Sequence, residues 1–170
     1  MKSYKNLTLS LTHEAQAGGN PMAQRRVYAV LVDRENRRLL MNTKDGLLPP
    51  KLRKYEGLIC LFGGGMEPGE TELETLAREL KEELGDASDH LDLSTARIAV
   101  SNEQVTVFSV AADLSGNHKF APNVHLFTHA CIEGEASLRT FDWLEAAPES
   151  LFVEGFKVFT QQAVACEISR

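Results

Sequence analysis

The chain has 170 residues, of which 43% are hydrophobic and 25% charged, and a formal net charge of −6. That is enough for one domain with a sizeable core, and the acidic balance argues against general coating of nucleic acid and against attraction to anionic membranes. No apolar run approaches the ~20 residues of a membrane span. Residues 1–21 hold no apolar core of a secretory signal, so the cytoplasm is the default compartment.

Residues 1–24 read as an N-terminal extension, and 25–170 as a single domain. The extension contains an alternating run, Leu7-Thr8-Leu9-Ser10-Leu11, followed by a joint at Gly18-Gly19-Asn20-Pro21. Such a run suits an edge strand, and its exchange between subunits would make a homodimer. Val27 to Val32 reads as a strand, Asp33-Arg34-Glu35-Asn36 as a turn, and Arg38 to Met41 as the returning partner. Lys44 to Tyr55 reads as a loop with Pro49-Pro50. Its basic cluster, Lys51, Arg53 and Lys54, is either a clamp for substrate phosphates or a solvated loop face. Leu58 to Phe62 reads as a short apolar strand that delivers the chain to a glycine loop at Gly64-Gly65.

Pro68-Gly69 is a turn signal. Thr71, three residues before Glu74, is the capping-box pattern that opens a helix, and Gly85 stands where a left-handed C′ residue would close it. The helix is therefore expected over Glu72 to Leu84. Leu73, Leu76, Ala77, Leu80 and Leu84 form its apolar stripe, with Glu72, Glu79, Glu82 and Glu83 on the broad opposite side. Beyond it, Ala96 to Ser101 and Val105 to Ala111 read as a hairpin, and Val124 to Ile132 as another strand. His125 and His129 share a face of that strand roughly 13 Å apart, too far for one metal. His118 and Phe120 occupy a loop that could meet a base. Glu133-Gly134-Glu135 reads as an exposed turn, Phe141 to Leu144 as a short strand, and Trp143 as core or pocket wall. Phe152, Phe156, Phe159, Ala163 and Cys166 recur at helical spacing, so the chain ends in an amphipathic helix. Strands around one central helix and before a last one imply a mixed sheet with helices on both faces. Cys60, Cys131 and Cys166 are widely separated and odd in number. Cys60 and Cys131 read as buried reduced thiols, and no histidine partner marks a catalytic cysteine.

The chemistry concentrates between Gly64 and Glu83. Glu79 lies three residues from Glu82 and four from Glu83, so the three carboxylates are neighbours on one helix and repel. A hard cation with oxygen ligands, Mg²⁺ or Mn²⁺, removes that repulsion and can bridge to substrate phosphate. A backbone carbonyl of the glycine loop could add a ligand, and Arg78 can hold a carboxylate in a two-pronged hydrogen bond. A solvated acidic face is the plain alternative. Glycine loop, capped helix and internal arginine at fixed spacing together favour a site acting on a phosphate anhydride.

Gly64, Glu70, Arg78-Glu79-Leu80, Glu82-Glu83 and Gly85, at these intervals, resemble the Nudix box. The one departure is Asp86, where the pattern ends with an aliphatic residue; it falls beyond the helix and should affect its exit more than metal ligands. The resemblance implies an α/β/α sandwich and a metal-dependent hydrolase that cleaves a nucleoside diphosphate linked to another moiety. It further implies that Glu79, Glu82 and Glu83 bind metal, with the Gly64 carbonyl a frequent extra ligand. Glu70 and Arg78 would brace loop against helix. Glu79 is the general base in some members and an acid on a later loop in others; Glu135 is the candidate here for that later acid or a further metal ligand. The substrate would be a small nucleotide-type molecule. No proline lies between Ala87 and Ala121 and no tyrosine follows Tyr55, which lowers the ADP-ribose and dinucleoside-polyphosphate readings and leaves nucleoside triphosphates, nucleotide sugars and capped RNA ends. Two other classes compete. A Nudix-fold nucleotide-sensing module would have lost the metal-binding acids, and an isopentenyl diphosphate isomerase would need a catalytic cysteine, for which Cys60 is the nearest thiol.

Overall fold

The computed structural model describes residues 24–44, 50–115 and 134–169, without the side chains of Lys51, Leu52 and Glu135. Its centre is a seven-stranded mixed sheet. Strand β1 (Arg26–Asp33) turns antiparallel into β2 (Arg38–Lys44), which runs three residues further than its apolar stretch suggests. A 3-10 turn, Pro50–Tyr55, occupies part of the expected loop. The strand expected over Leu58 to Phe62 is two strands, β3 (Ile59–Cys60) on β2 and β4 (Phe62–Gly65) on β1. The chain switches partner at Leu61, which is buried. Strand β1 thus shares one edge between β4, along Arg26–Ala29, and β2, along Leu31–Asp33.

The glycines are therefore not a loop. Gly63, Gly64 and Gly65 are ladder residues opposite Tyr28, Val27 and Arg26. Hairpin β5 (Arg97–Ser101) and β6 (Val105–Ala111) forms where it is expected, with β6 parallel to β1 and a bulge between Ile98 and Val100. Strand β7 (Gly134–Thr140) pairs antiparallel with β2. It lies upstream of the strand expected at Phe141, so Gly134 and Glu135, read as part of a turn, belong to a strand. Phe141 to Leu144 is helical instead, in α2 (Phe141–Ala146), because the Thr140 hydroxyl accepts from the Trp143 N–H and opens a turn. The final helix, α3 (Phe156–Ile168), buries Phe156, Phe159 and Ala163 as expected. Glu167 is buried there rather than Cys166, and Ser109 donates to its carboxylate. The expected strand Val124–Ile132, together with Cys131, His118, Phe120, His125 and His129, lies outside the described residues.

Alternation along β1 and β2 divides the core in two. Tyr28, Val30, Val32, Leu39 and Met41 face α2 and α3 with Phe156 and Phe159. Val27, Ala29, Leu31 and Leu40 face α1 (Glu72–Leu84) with Leu76, Leu80 and Leu84. Helices thus cover both faces of the sheet, the α/β/α arrangement. Cys60 is buried within the first layer, its Sγ 3.8 Å from the Leu58 carbonyl oxygen.

Candidate functional site

Helix α1 starts as its capping box dictates. The Thr71 hydroxyl accepts from the Glu74 N–H, and the Glu74 carboxylate accepts from the Thr71 N–H at 2.7 Å. That bond, more than the Thr71 hydroxyl, holds the Glu74 carboxyl below its ordinary range. At its other end Gly85 has positive φ (58°) but ψ of −137°. It is a C-cap feeding a further 3-10 stretch, Gly85–His90, rather than a left-handed exit. This explains how Asp86 is accommodated. Its side chain is fully exposed and paired with Lys81 at 2.9 Å, which keeps its carboxyl low, while Ala87 fills the apolar layer.

The stripe expected on α1 is corrected by packing. Leu76, Leu80 and Leu84 are buried, but Leu73 is 49% exposed and Ala77 is exposed. Thr75 and Glu83 are buried in their place. The buried surface therefore runs along Thr75-Leu76, Leu80 and Glu83-Leu84. Glu79 and Glu83 lie beside the sheet rather than on a face pointing away from it, with side-chain exposures of only 13% and 4%. Glu82 alone of the three is open to solvent.

The inward acids meet β4. On Gly64, opposite Val27 and on the α1 side of the sheet, an added Cβ would fall 2.5 Å from a Glu79 carboxylate oxygen. A side chain there would displace the Glu79 carboxylate, so glycine leaves the acid its place against the strand. Glu83 Oε2 accepts from the Gly63 N–H at 2.7 Å, and its Oε1 is 3.7 Å from Lys44 Nζ. Lys44 ends β2, on the alternation that sends Leu40 to the α1 side. Read as the start of a loop, it gave no sequence signal beyond a lysine two positions after Asn42.

Arg78 organises the rest. Its Nε and Nη2 donate to the two oxygens of Glu70 at 2.7 and 3.1 Å, and Nη2 also donates to the Gly65 carbonyl at 2.9 Å. Nη1 donates to Glu79 at 2.9 Å and to Glu82 at 3.3 Å. One planar guanidinium thus ties the turn before α1, the end of β4 and two of the acids together. Glu70 is bonded further by the Glu67 N–H and the Thr75 hydroxyl. Arg78, then these two donors, bring its carboxyl down to about 2, and Glu70 in turn raises the Arg78 pKa. A second brace, absent from the sequence reading, joins Arg25 to Glu72 at 2.6 Å, with Thr106 bonded to both.

Gly64, Glu70, Arg78, Glu79, Glu82 and Glu83 are thus brought together, with Lys44 added. Arg53 and Lys54 of the basic cluster are not part of this set of contacts. Arg53 and Lys54 are exposed on the 3-10 turn, and Lys54 sits over the Tyr55 ring. Lys54 lines a separate cleft of about 510 Å³ with Leu58, Phe152, Glu154 and Lys157. Lys51 belongs to the same turn, and Glu135 stands opposite Thr43 in the β2–β7 ladder; the side chains of both lie outside the described atoms. Trp143 is half-buried between the Phe152 ring and the Arg139 guanidinium.

The donor set suits a hard divalent cation: carboxylate oxygens from adjacent helical turns and a glycine backbone with no side chain in the way. Among the described residues the acids do not converge on one point. Glu79 and Glu82 face Arg78, while Glu83 faces Gly63 and Lys44. Cations and N–H donors of the protein itself balance their charge.

Comparison with known proteins bears on the family and the fold. The family model described as the NUDIX domain matches residues 22–148. The nucleoside triphosphatase NudI of Enterobacter sp. (strain 638) is 30% identical over 138 residues, covering 74% of this chain and 92% of that protein. NudI of Escherichia fergusonii is 26% identical over 147 residues, covering 79% and 99%. The crystal structure of the MutT protein from Bacillus halodurans shares the fold. It has a TM-score of 0.51 at 21% identity and covers 83% of this chain and 82% of its own.

Proposed function

Because this chain belongs to the Nudix family and is a pyrophosphohydrolase of that type, we propose that it cleaves a phosphate anhydride of a nucleoside triphosphate with the help of a divalent metal, Mg²⁺ or Mn²⁺. The observation that carries this reading is the Glu79 carboxylate lying against the Gly64 backbone, bridged to Glu82 by Arg78 and next to the buried Glu83. The choice of a triphosphate rests on the two NudI relatives, both nucleoside triphosphatases matched over nearly their whole length. Among the described residues no helix is long and apolar enough to cross a membrane, and a cytoplasmic nucleotide substrate fits the chain.

Glu79, Glu82, Glu83 and the Gly64 carbonyl would hold the metal. Such an ion supplies positive charge to the pyrophosphate oxygens and polarises water. The protein's own part is placement and proton transfer. Arg78 keeps Glu79 and Glu82 side by side, and Glu70 and Gly65 keep Arg78 fixed, so little reorganisation is left for the moment of reaction. Glu79 is the candidate to take the proton of the attacking water at a carboxylate oxygen. Lys44, beside Glu83, supplies a further positive charge to phosphate. The basic turn carrying Lys51, Arg53 and Lys54, and Glu135 on β7, are candidates for contacts outside this centre.

The test is phosphate and pyrophosphate release from a panel of nucleoside triphosphates and nucleotide sugars with Mg²⁺ or Mn²⁺, with Glu83→Gln as control. The amide oxygen can still accept from the Gly63 N–H, so the fold should survive while turnover falls at least a hundredfold, roughly the loss of one charge-stabilising group. Full turnover in Glu83→Gln would remove the metal-site assignment. Cleavage confined to nucleotide sugars would move the substrate class.

A further inference from the structure

Glu72, the first residue of α1, stands four residues before Leu76, seven before Glu79 and eleven before Glu83. At about 100° per residue these four positions share one stripe of the helix. The stripe that carries the inward acids therefore begins at Glu72, roughly 10 Å along the axis from Glu79 at about 1.5 Å per residue. Apolar packing of Leu76, Leu80 and Leu84 presses α1 against the sheet but is non-directional and leaves its rotation loosely set. Rotation matters at the site. An added Cβ on Gly64 would fall 2.5 Å from a Glu79 carboxylate oxygen, so the seat of Glu79 against β4 depends on how the helix is turned.

Arg25, one residue before β1, grips that end of the stripe. Its Nε donates to Glu72 Oε1 at 2.8 Å, and Nη2 lies 2.6 Å from the same oxygen. Nη1 donates to the Asn102 carbonyl at 2.7 Å, and Nη2 to the hydroxyls of Ser101 and Thr106 at 3.1 and 2.7 Å. Thr106, fully buried on β6, donates in turn to Glu72 Oε1 at 2.7 Å. The start of α1 is thereby tied to β6 and to the β5–β6 turn, and β6 is held to β1 by its parallel ladder. The Met66 N–H donates to the Arg25 carbonyl at 2.9 Å, so the same residue also holds the chain leaving β4. We infer that Arg25, with Thr106, is a positioning residue for the hydrolysis: it sets the rotation of α1 at Glu72, which seats Glu79 on Gly64 and keeps Arg78 in register with Glu70. This rests on the reading of Glu79 as an acting acid of the site. None of the side-chain partners of Arg25 named here is one of the acids of the centre, so it acts through the helix. Arg25 and Glu72 keep 31% and 28% of their side chains exposed, and such a pair adds little to stability. Its worth is directional. A planar guanidinium can satisfy Glu72, Asn102 and Thr106 together, whereas a lysine ammonium supplies the charge without the fork.

The test uses the full-length chain with Arg25→Lys, and with Thr106→Val as a second variant whose side chain suits a buried strand. Three quantities are read: kcat and KM on a nucleoside triphosphate that the parent cleaves, the urea midpoint, and the Arg78 Nε–H resonance by nuclear magnetic resonance without substrate. In Arg25→Lys kcat should fall at least about fivefold with KM within about twofold of the parent, and Thr106→Val should move the same way. The Arg78 resonance should shift in both, although neither substituted side chain is a partner of Arg78. A lowered urea midpoint with unchanged kcat and an unmoved Arg78 resonance would leave Arg25 a structural brace only and overturn the inference. A rise in KM alone would overturn it as well, by making Arg25 a substrate contact. If the parent cleaves no triphosphate, the substrate reading fails by itself. The Arg78 resonance then decides this inference alone, a shift supporting it and an unmoved signal overturning it.

Discussion

Replacing Gly63 by alanine probes the contact that joins fold to site. Gly63 has φ of 128°, and an added Cβ would lie 2.2 Å from the Val27 carbonyl oxygen and 2.8 Å from the Tyr28 Cα. Holding a non-glycine residue in such a conformation costs about 1–3 kcal/mol. Restoring van der Waals contact requires β4 to move about 1 Å from β1, in a close-packed interior that resists it. That movement carries the Gly63 N–H away from Glu83, a carboxylate 3% exposed. Leaving a buried acceptor short of its donor costs about 1–3 kcal/mol more. The expected destabilisation is therefore about 2–6 kcal/mol, a large part of the 5–15 kcal/mol typical of a domain. Gly69→Ala is the control. Gly69 also has positive φ, 92°, but nothing lies within 4 Å of its added Cβ, so only backbone strain is expected. Equilibrium urea unfolding at constant m compares the two through their midpoints. A Gly63→Ala protein no less stable than Gly69→Ala would refute the close β1–β4 crossing and the seat it gives Glu83.

Further expectations concern the clamp around Arg78. Arg78→Lys keeps the charge but cannot reproduce the fork across Glu70, Gly65, Glu79 and Glu82. Its kcat should fall more than about tenfold with little change in KM, whereas a change in KM alone would make Arg78 a substrate contact. The Glu70 carboxyl is lowered from 4.5 to about 2 by Arg78, the Glu67 N–H and Thr75. A depressed carboxyl stabilises fully above its unfolded value and loses that contribution as pH falls through its folded value. Glu70→Gln should therefore flatten the loss of stability between pH 4.5 and about 2, read by urea unfolding at stepped pH. An unchanged acid slope in the variant would show that Glu70 does not contribute it.

Features set by neighbours in the chain were legible from the sequence. Helix α1 was readable at both ends because Thr71 with Glu74, and Gly85, act within one turn of the backbone. The strands β1 and β2 and the β5–β6 hairpin followed from short apolar runs bounded by turn residues. The grouping of Arg78, Glu79, Glu82 and Glu83 was readable from helical spacing, and the resemblance to the Nudix box added Gly64 and Glu70. What could not be read was set by partners distant in sequence. A glycine run has no side chains to show a period, so only pairing with β1 makes Gly63–Gly65 a strand. Whether Leu73 or Glu83 is buried depends on where the sheet lies against α1, and β4 presents a glycine backbone there that leaves room for acids. Lys44 reaches Glu83 only because β2 outlasts its apolar stretch, and Thr140 starts a helix where composition favoured a strand. The sequence by itself determined the three acids and the arginine of the site, because a single helix spaces them. Only the tertiary structure decided which acids are buried and what holds them, because burial and pairing belong to the packed sheet and not to the local chain.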